Sequence, residues 1–445
     1  MKKTFTVLTV LTAFTVSVFI AINTVDKSYG YNYQKHRGKT ANTLRLSVLI
    51  KNALKNPNIS SSVLKAEGRK EEVAIAKALP EPVAGIGLTD ANGFNNPGIG
   101  VNEMSDIGFS ISQMIPFPSK LETKSRINKY SYMSLKAKTR VLKIDTIYLV
   151  KESYYNLALL EKQIAVVKYN RLLLNIMLRD ISQKYGTGSA SAPAYIRTML
   201  EEASLKSELF TLSRAKAKLI YLLGELTGLQ SSYIKSARAV LPKIPERGKE
   251  TKTGASTANE SSEKEDIKTA YKFNPELQSL KYLAKKSDYE TAYAKESYLP
   301  DFYLKAGYGD RYSIVPVLSA SVGLSLPVYF NSYQKPLINK AEKDKLSSIY
   351  DIDWEKLRII KSVKIYVKDM RLNRNNYKLY KNLYIPEAKI LFKAEIASFG
   401  TGRSSAFSML DSFRKLIDSE FKRDIYNAKY YIDKSGLGQV MGKMR

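Results

Sequence analysis

The sequence predicts an α+β membrane protein built as a duplicated repeat, with four β-strands and very long α-helices in each chain. Three observations point there. An aromatic-Gly-Thr-Gly turn at Tyr185 to Gly188 recurs 214 residues later at Phe399 to Gly402. Short strands alternate apolar with small polar residues. Two stretches, 119–185 and 337–399, contain no glycine and between them one proline, Pro386.

The chain opens with Lys2 and Lys3, an apolar run from Phe5 to Ile22, and small residues Ser28 and Gly30 where a peptidase would cut. This pattern predicts an exported protein with residues 1–30 as signal peptide. The rest divides into a first repeat, 31–241, a flexible polar linker, 242–266, and a second repeat, 267–445. In the same order each repeat carries an Asn-Pro pair (Asn56, Asn274), a proline ending the first helix (Pro80, Pro300), a proline after the second strand (Pro116, Pro327) and the glycine turn. The offsets are all close to 214, which is the signature of a duplication. The linker is polar and charge-balanced, a composition that buries too little to fold by itself.

In "DIGFSISQMI", Ile107, Phe109 and Ile111 fall on one face, while Gly108, Ser110 and Ser112 fall on the other. In "LSASVGLSL", Leu318, Ala320, Val322, Leu324 and Leu326 oppose Ser319, Ser321, Gly323 and Ser325. Their partners are Val83 to Leu88 and "DFYLKAGYG" at 301–309. One apolar and one small polar face suit a membrane barrel, with lipid outside and water inside. A soluble, half-buried hairpin shows the same alternation.

The stretches that follow predict helices of roughly 100 Å at 1.5 Å per residue. Leu160, Ile164, Val167, Leu174, Leu178 and Ile181 form a coiled-coil seam. After each glycine turn a return helix is expected, with Pro193 in the first turn of one, ending near residues 223–228 and 435–438. Four strands cannot close a membrane barrel, since about eight is the minimum. Two chains would give a filled barrel of eight strands and three an open one of twelve, so closure by rotation favours a ring of chains, of which a homotrimer gives a conduit.

Composition argues against catalysis. The chain has no cysteine and one histidine, His36, which excludes thiolate chemistry and argues against a histidine-based metal site or catalytic triad. No phosphate-binding loop is present. The expectation is a protein that is not an enzyme, with no cofactor and no metal. Net charge is +29, which by itself suggests nucleic acid. The excess is spread instead: 119–185 holds 14 Lys/Arg against 5 Asp/Glu, and 337–399 holds 14 against 8. It reads as solvated helix faces, with no nucleic-acid partner.

The chain resembles the TolC-like outer-membrane efflux family, the outer membrane factors. The resemblance rests on "NPELQSLKYLAKKSDYETAYAKESYLPDFYLKAGYG" at 274–309, "SVGLSLPVYF" at 321–330, "QMIPFPSK" at 113–120 and the aromatic-x-x-Gly turns. It implies a trimeric 12-stranded β-barrel continued by a periplasmic α-helical barrel. It also implies a passive exit duct of a tripartite efflux or type I secretion system in the outer membrane of a Gram-negative-type bacterium, with a large periplasmic portion. The implied partners are outer-membrane lipid, a periplasmic adaptor (membrane fusion) protein and an inner-membrane pump. The helical tips would be gate and docking surface, with Tyr185, Gly188, Phe399 and Gly402 making the reversals. Family members usually carry an acid six residues past the second glycine and another three further on. Ser408 stands at the first position and Asp411 at the second, while in the first tip Ala194 stands where a polar residue is common. Three copies of Asp411 around the axis would attract cations. Pairing of Asp411 with Arg414 or Lys415 would make it a surface charge instead. The strand-to-helix junctions fall at Pro80, Pro116, Pro300 and Pro327. The alternative function is a periplasmic adaptor or coiled-coil structural protein.

Overall fold

A computed structural model describes residues 43–89, 105–186, 188, 191–245, 260–311, 314–400 and 403–443. The signal segment, His36, linker residues 246–259 and Gly402 lie outside them. The first half runs α1 (Leu46–Ala53), α2 (Pro57–Ile75), β1 (Val83–Thr89), β2 (Asp106–Ile115), α3 (Pro118–Gly186), α4 (Ala192–Thr227) and α5 (Ser231–Ser236). The second runs α6 (Glu260–Phe273), α7 (Pro275–Lys295), β3 (Phe302–Arg311), β4 (Ile314–Leu324), α8 (Lys335–Leu379), α9 (Ile385–Gly400) and α10 (Ala406–Val440).

The two halves repeat down to single hydrogen bonds. The Asn56 side chain caps α2 by accepting from the Asn58 N–H at 2.9 Å, and Asn274 caps α7 by accepting from the Leu277 N–H at 2.9 Å. Each is followed by a proline in the first helical turn, where the missing donor costs nothing. Each amide also donates to the far end of its own return helix: Asn56 to Leu226 O at 3.1 Å, Asn274 to Val440 O at 2.9 Å. Gly228 and Gly442, 214 residues apart, both take a left-handed conformation (φ 67° and 70°) just past those return helices.

The 69 residues of α3 form one helix of about 100 Å. Its counterpart is not continuous, as the sequence had suggested for 337–399. A π turn at Tyr380–Tyr384 separates α8 from α9, and another at Phe330–Gln334 precedes α8. Each begins six residues before a proline, Pro386 and Pro336. A proline ring clashes with the carbonyl four residues back and supplies no N–H, and the wider turn relieves both. The second return helix also passes the expected stop at 435–438 and runs to Val440. Gly436 does not end it: a Cβ there would collide with the Tyr366 ring, so the glycine allows close approach of α8. Of the expected linker, 242–266, the last residues belong to α6, which begins at Glu260; Glu263 in its first turn suits the helix dipole.

The four strands form one antiparallel sheet in the order β1-β2-β3-β4. The central pair, β2 with β3, joins the halves, with Phe109 opposite Tyr308 and Ser110 opposite Gly307. The helices pack in two manners. Beside α4, α9 and α10, the far end of α3 buries Val167, Leu174 and Ile181 among Leu205, Phe392, Met409, Phe413 and Leu416. Nearer the sheet, α3 meets α2 and α7 through small residues. There Ser134 and Ser279 bond at 2.9 Å, Ser62 and Thr139 at 2.8 Å, and the Ser125 hydroxyl donates to Val73 O at 2.9 Å.

Candidate functional site: the sheet and the helical tips

Register fixes which residues share each sheet face. One face carries Ile86, Leu88, Ile107, Phe109, Ile111, Leu304, Tyr308, Leu318, Val322 and Leu324. These side chains are exposed, Ile86 and Leu318 at 83%. A contiguous exposed apolar face of this kind marks a membrane or protein contact. The other face carries Gly85, Gly87, Gly108, Ser110, Ser112, Gly307, Gly309, Ser319, Ser321 and Gly323, with Lys305, Asp106 and, past the irregularity after Gly309 at the end of β3, Arg311 as charges. The outer edges of β1 and β4 pair with no strand among the described residues. No described helix is long and apolar enough to cross a membrane.

The four junction prolines stand where strands meet helices, and a polar clasp joins them. The Asp301 carboxylate accepts from the Phe117 N–H at 3.0 Å and the Lys120 ammonium at 2.8 Å, and Lys120 also donates to Leu299 O at 2.8 Å. The Asp301 N–H donates to Ser325 Oγ at 2.9 Å, the Ser325 N–H returns to Asp301 O at 2.8 Å, and the Gln113 amide donates to Pro80 O at 2.7 Å. One residue, Asp301, thus links the exit of β2 through its carboxylate and the exit of β4 through its backbone, at the entry of β3. Prolines end the ladder because they cannot donate, and side chains replace the lost bonds.

At the far end, the Gly188 N–H closes on Tyr185 O at 3.0 Å with φ +72°, a conformation a side chain would strain. The Tyr185 and Tyr195 rings stack across this reversal at 5.7 Å and 2°. Ser191 precedes α4, and Pro193 lies in its first turn, with Ala194 beside it. In the second tip Arg403 N–H closes on Ser398 O at 2.8 Å, and Ser404 donates to Glu395. The Ser405 side chain caps α10 by accepting from the Ser408 N–H at 3.1 Å, so Ser408 completes the helix start. Phe399 is in the last turn of α9. Asp411, half exposed, pairs with Lys415 at 2.8 Å, an i,i+4 contact worth a few tenths of a kcal/mol. Arg414 reaches the other hairpin, where it pairs with Glu201, only 6% exposed. The 214-residue offset places Arg197 where the second tip has Asp411, and its guanidinium lies 5.3 Å above the Phe407 ring. The cross-hairpin pair and this contact leave no signal in the sequence, because nothing local to residue 201 or 414 pairs them.

Between sheet and tips, Asn373 of α8 donates to Asp433 of α10 at 2.7 Å. Burial raises the Asp433 carboxyl to about 6 against the opposing effect of this bond, and Asp369 adds to the rise. Burial likewise lifts Tyr155 and Tyr431, whose rings lie 5.4 Å apart, to about 12. Among the described residues no group of three or more acids or histidines is placed to hold a metal.

The same architecture is found in solved outer-membrane channels. The channel OprN has a TM-score of 0.74 to this chain at 12% identity, covering 89% of each. The Campylobacter jejuni CmeC outer membrane channel gives 0.74 at 13% identity over 92% of this chain and 90% of that one. The outer membrane protein VceC of Vibrio cholerae gives 0.73 at 12% over 89% and 96%. No family model matches the sequence, and no curated protein does. The chain therefore has the TolC-like channel fold at a sequence distance where only the fold carries over.

Proposed function

We propose that this protein is a homotrimeric outer-membrane channel, the exit duct of a tripartite efflux or type I secretion system. It is a passive conduit and not an enzyme. One observation carries this reading. A four-stranded sheet with an exposed apolar face and two open edges sits on the same chain as a helix of about 100 Å. Open edges are not tolerated in hydrocarbon, so β1 and β4 must pair with neighbouring copies, and three chains give twelve strands around a passage. The helices then extend through the periplasm of a Gram-negative-type bacterium, where the tips meet an adaptor and an inner-membrane pump.

The gate in this reading is the ring of tips. Gly188 turns the chain at the first tip, a role the repeat assigns to Gly402 at the second, Tyr185 and Phe399 precede the turns, Ser408 fixes the start of α10, and the Glu201–Arg414 pair ties one hairpin to the other. Asp411 is the first acid after the second reversal, nine residues past Gly402. Purified protein is expected to conduct in planar bilayers and to show a native mass of three chains; a stable monomer that never inserts overturns the reading. In the same bilayers Asp411→Asn assigns its carboxylate. A reversal potential shifted toward greater chloride permeability places it on the pore, and an unaltered reversal potential leaves it a surface partner of Lys415.

A further inference from the structure

Lys305 is the exposed cation at the middle of β3, and its placement is not that of an ordinary surface lysine. Lysine on an edge strand blocks unwanted pairing, but β3 is central, with β2 and β4 on its two sides. On the apolar face a lysine at mid-membrane would cost about 2–4 kcal/mol. Lys305 instead shares its row on the small polar face with Val83, Ser112 and Ser321. The rows above hold Gly85, Ser110, Gly307 and Ser319, then Gly87, Gly108, Gly309 and Val317; the row below holds Met114, Tyr303 and Gly323. No carboxylate lies in any of these. Asp106 lies against Gly309, four residues along β3 from Lys305, about 13 Å at strand rise. Asp301 is held by Lys120, and Asp310 is on the opposite face.

Resting on the channel reading above, we propose that the barrel lumen favours anions and that Lys305 of each copy sets this preference, so that the cargo class it suits is anionic solutes. Glycine and serine rows leave the passage open around Lys305, and threefold closure brings three ammonium groups to one level with no acid beside them. Fixed charge in a narrow aqueous passage concentrates counter-ions. At the tips, Asp411 is balanced by Lys415 at 2.8 Å, and Arg197 occupies the matching position of the other hairpin.

The test is ion selectivity in planar bilayers under a KCl gradient. Near 10 mM salt, where the screening length is about 30 Å, wild type is expected to prefer chloride, and near 1 M, where it is about 3 Å, the preference should vanish. Lys305→Gln should lower the chloride-to-potassium permeability ratio about twofold at low salt. The chain contains no cysteine, so Lys305→Cys offers a single thiol per copy. A methanethiosulfonate bearing a sulfonate should then turn the channel toward potassium, and one bearing an ammonium should restore chloride. A wild-type channel that conducts but prefers potassium at low salt overturns the inference, as does a Lys305→Cys channel whose reversal potential ignores both reagents. Absence of any conductance counts against the channel reading instead.

Discussion

The sheet-side and tip-side lengths of α3 pack against their neighbours by different physics. On the sheet side the contacts are hydroxyls and small side chains, with Ser134 and Ser279 buried to 2% and 0% and bonded to each other. On the tip side they are large apolar groups, with Phe413 fully buried and its ring 5.4 Å from that of Phe392. Hydroxyl pairs are directional, and separating them leaves buried polar groups without partners. Apolar contacts have no preferred direction and tolerate sliding and repacking. The difference makes helix spacing beside the sheet the more rigid and packing near the tips the more adaptable.

The largest expected effect breaks the tip side. Phe413→Ala should cost about 3–5 kcal/mol, seen as faster hydrogen exchange of tip amides while those around Ser134 keep their protection. Equal acceleration at both ends would show one cooperative unit and defeat the contrast. Next, Ser279→Leu should cost about 1–3 kcal/mol by overpacking, with exchange accelerated around Ser134 and the tips unchanged; a neutral result would mean the close helix contact is not needed. The smallest effect concerns Asp433, which lies between the two regions. Its carboxyl is raised to about 6 from an ordinary 3.8, so folding favours the neutral form. That contribution is present below about pH 4 and is lost as pH rises through 6. Asp433→Asn should flatten the thermal midpoint across this window and leave both seams in place. An unchanged pH profile would show that Asn373 and Lys429 already offset the burial.

Much of the frame is legible in the sequence because each signal is local and periodic. Period-two alternation marks β2 and β4, absence of glycine marks α3, and Asn-Pro marks the starts of α2 and α7. The hydroxyl seam was missed because serine and threonine at helical spacing do not register as an apolar stripe. The β2–β3 pairing spans nearly 200 residues and leaves no local trace. Gly436 reads as a stop, since only the structure shows Tyr366 lying against it. At the tips the glycine reversals were legible, whereas the Glu201–Arg414 contact was not, because it joins two repeats. The composition of the Lys305 row becomes visible only when four strands are placed in register.

The π turn before Pro386 also shifts phase. Buried positions in α8 include Ile359, Val363, Met370 and Asn373, and in α9 Ile385, Ala388 and Phe392. Met370 to Ile385 is fifteen residues, as is Asn373 to Ala388, one more than two heptads. The wide turn holds that additional residue, so the inward stripe resumes one place later along the sequence without rotating away from α10. Heptads counted straight through from Ile359 would put the wrong residues, about 100° around the helix, on the buried side of every turn below Tyr384.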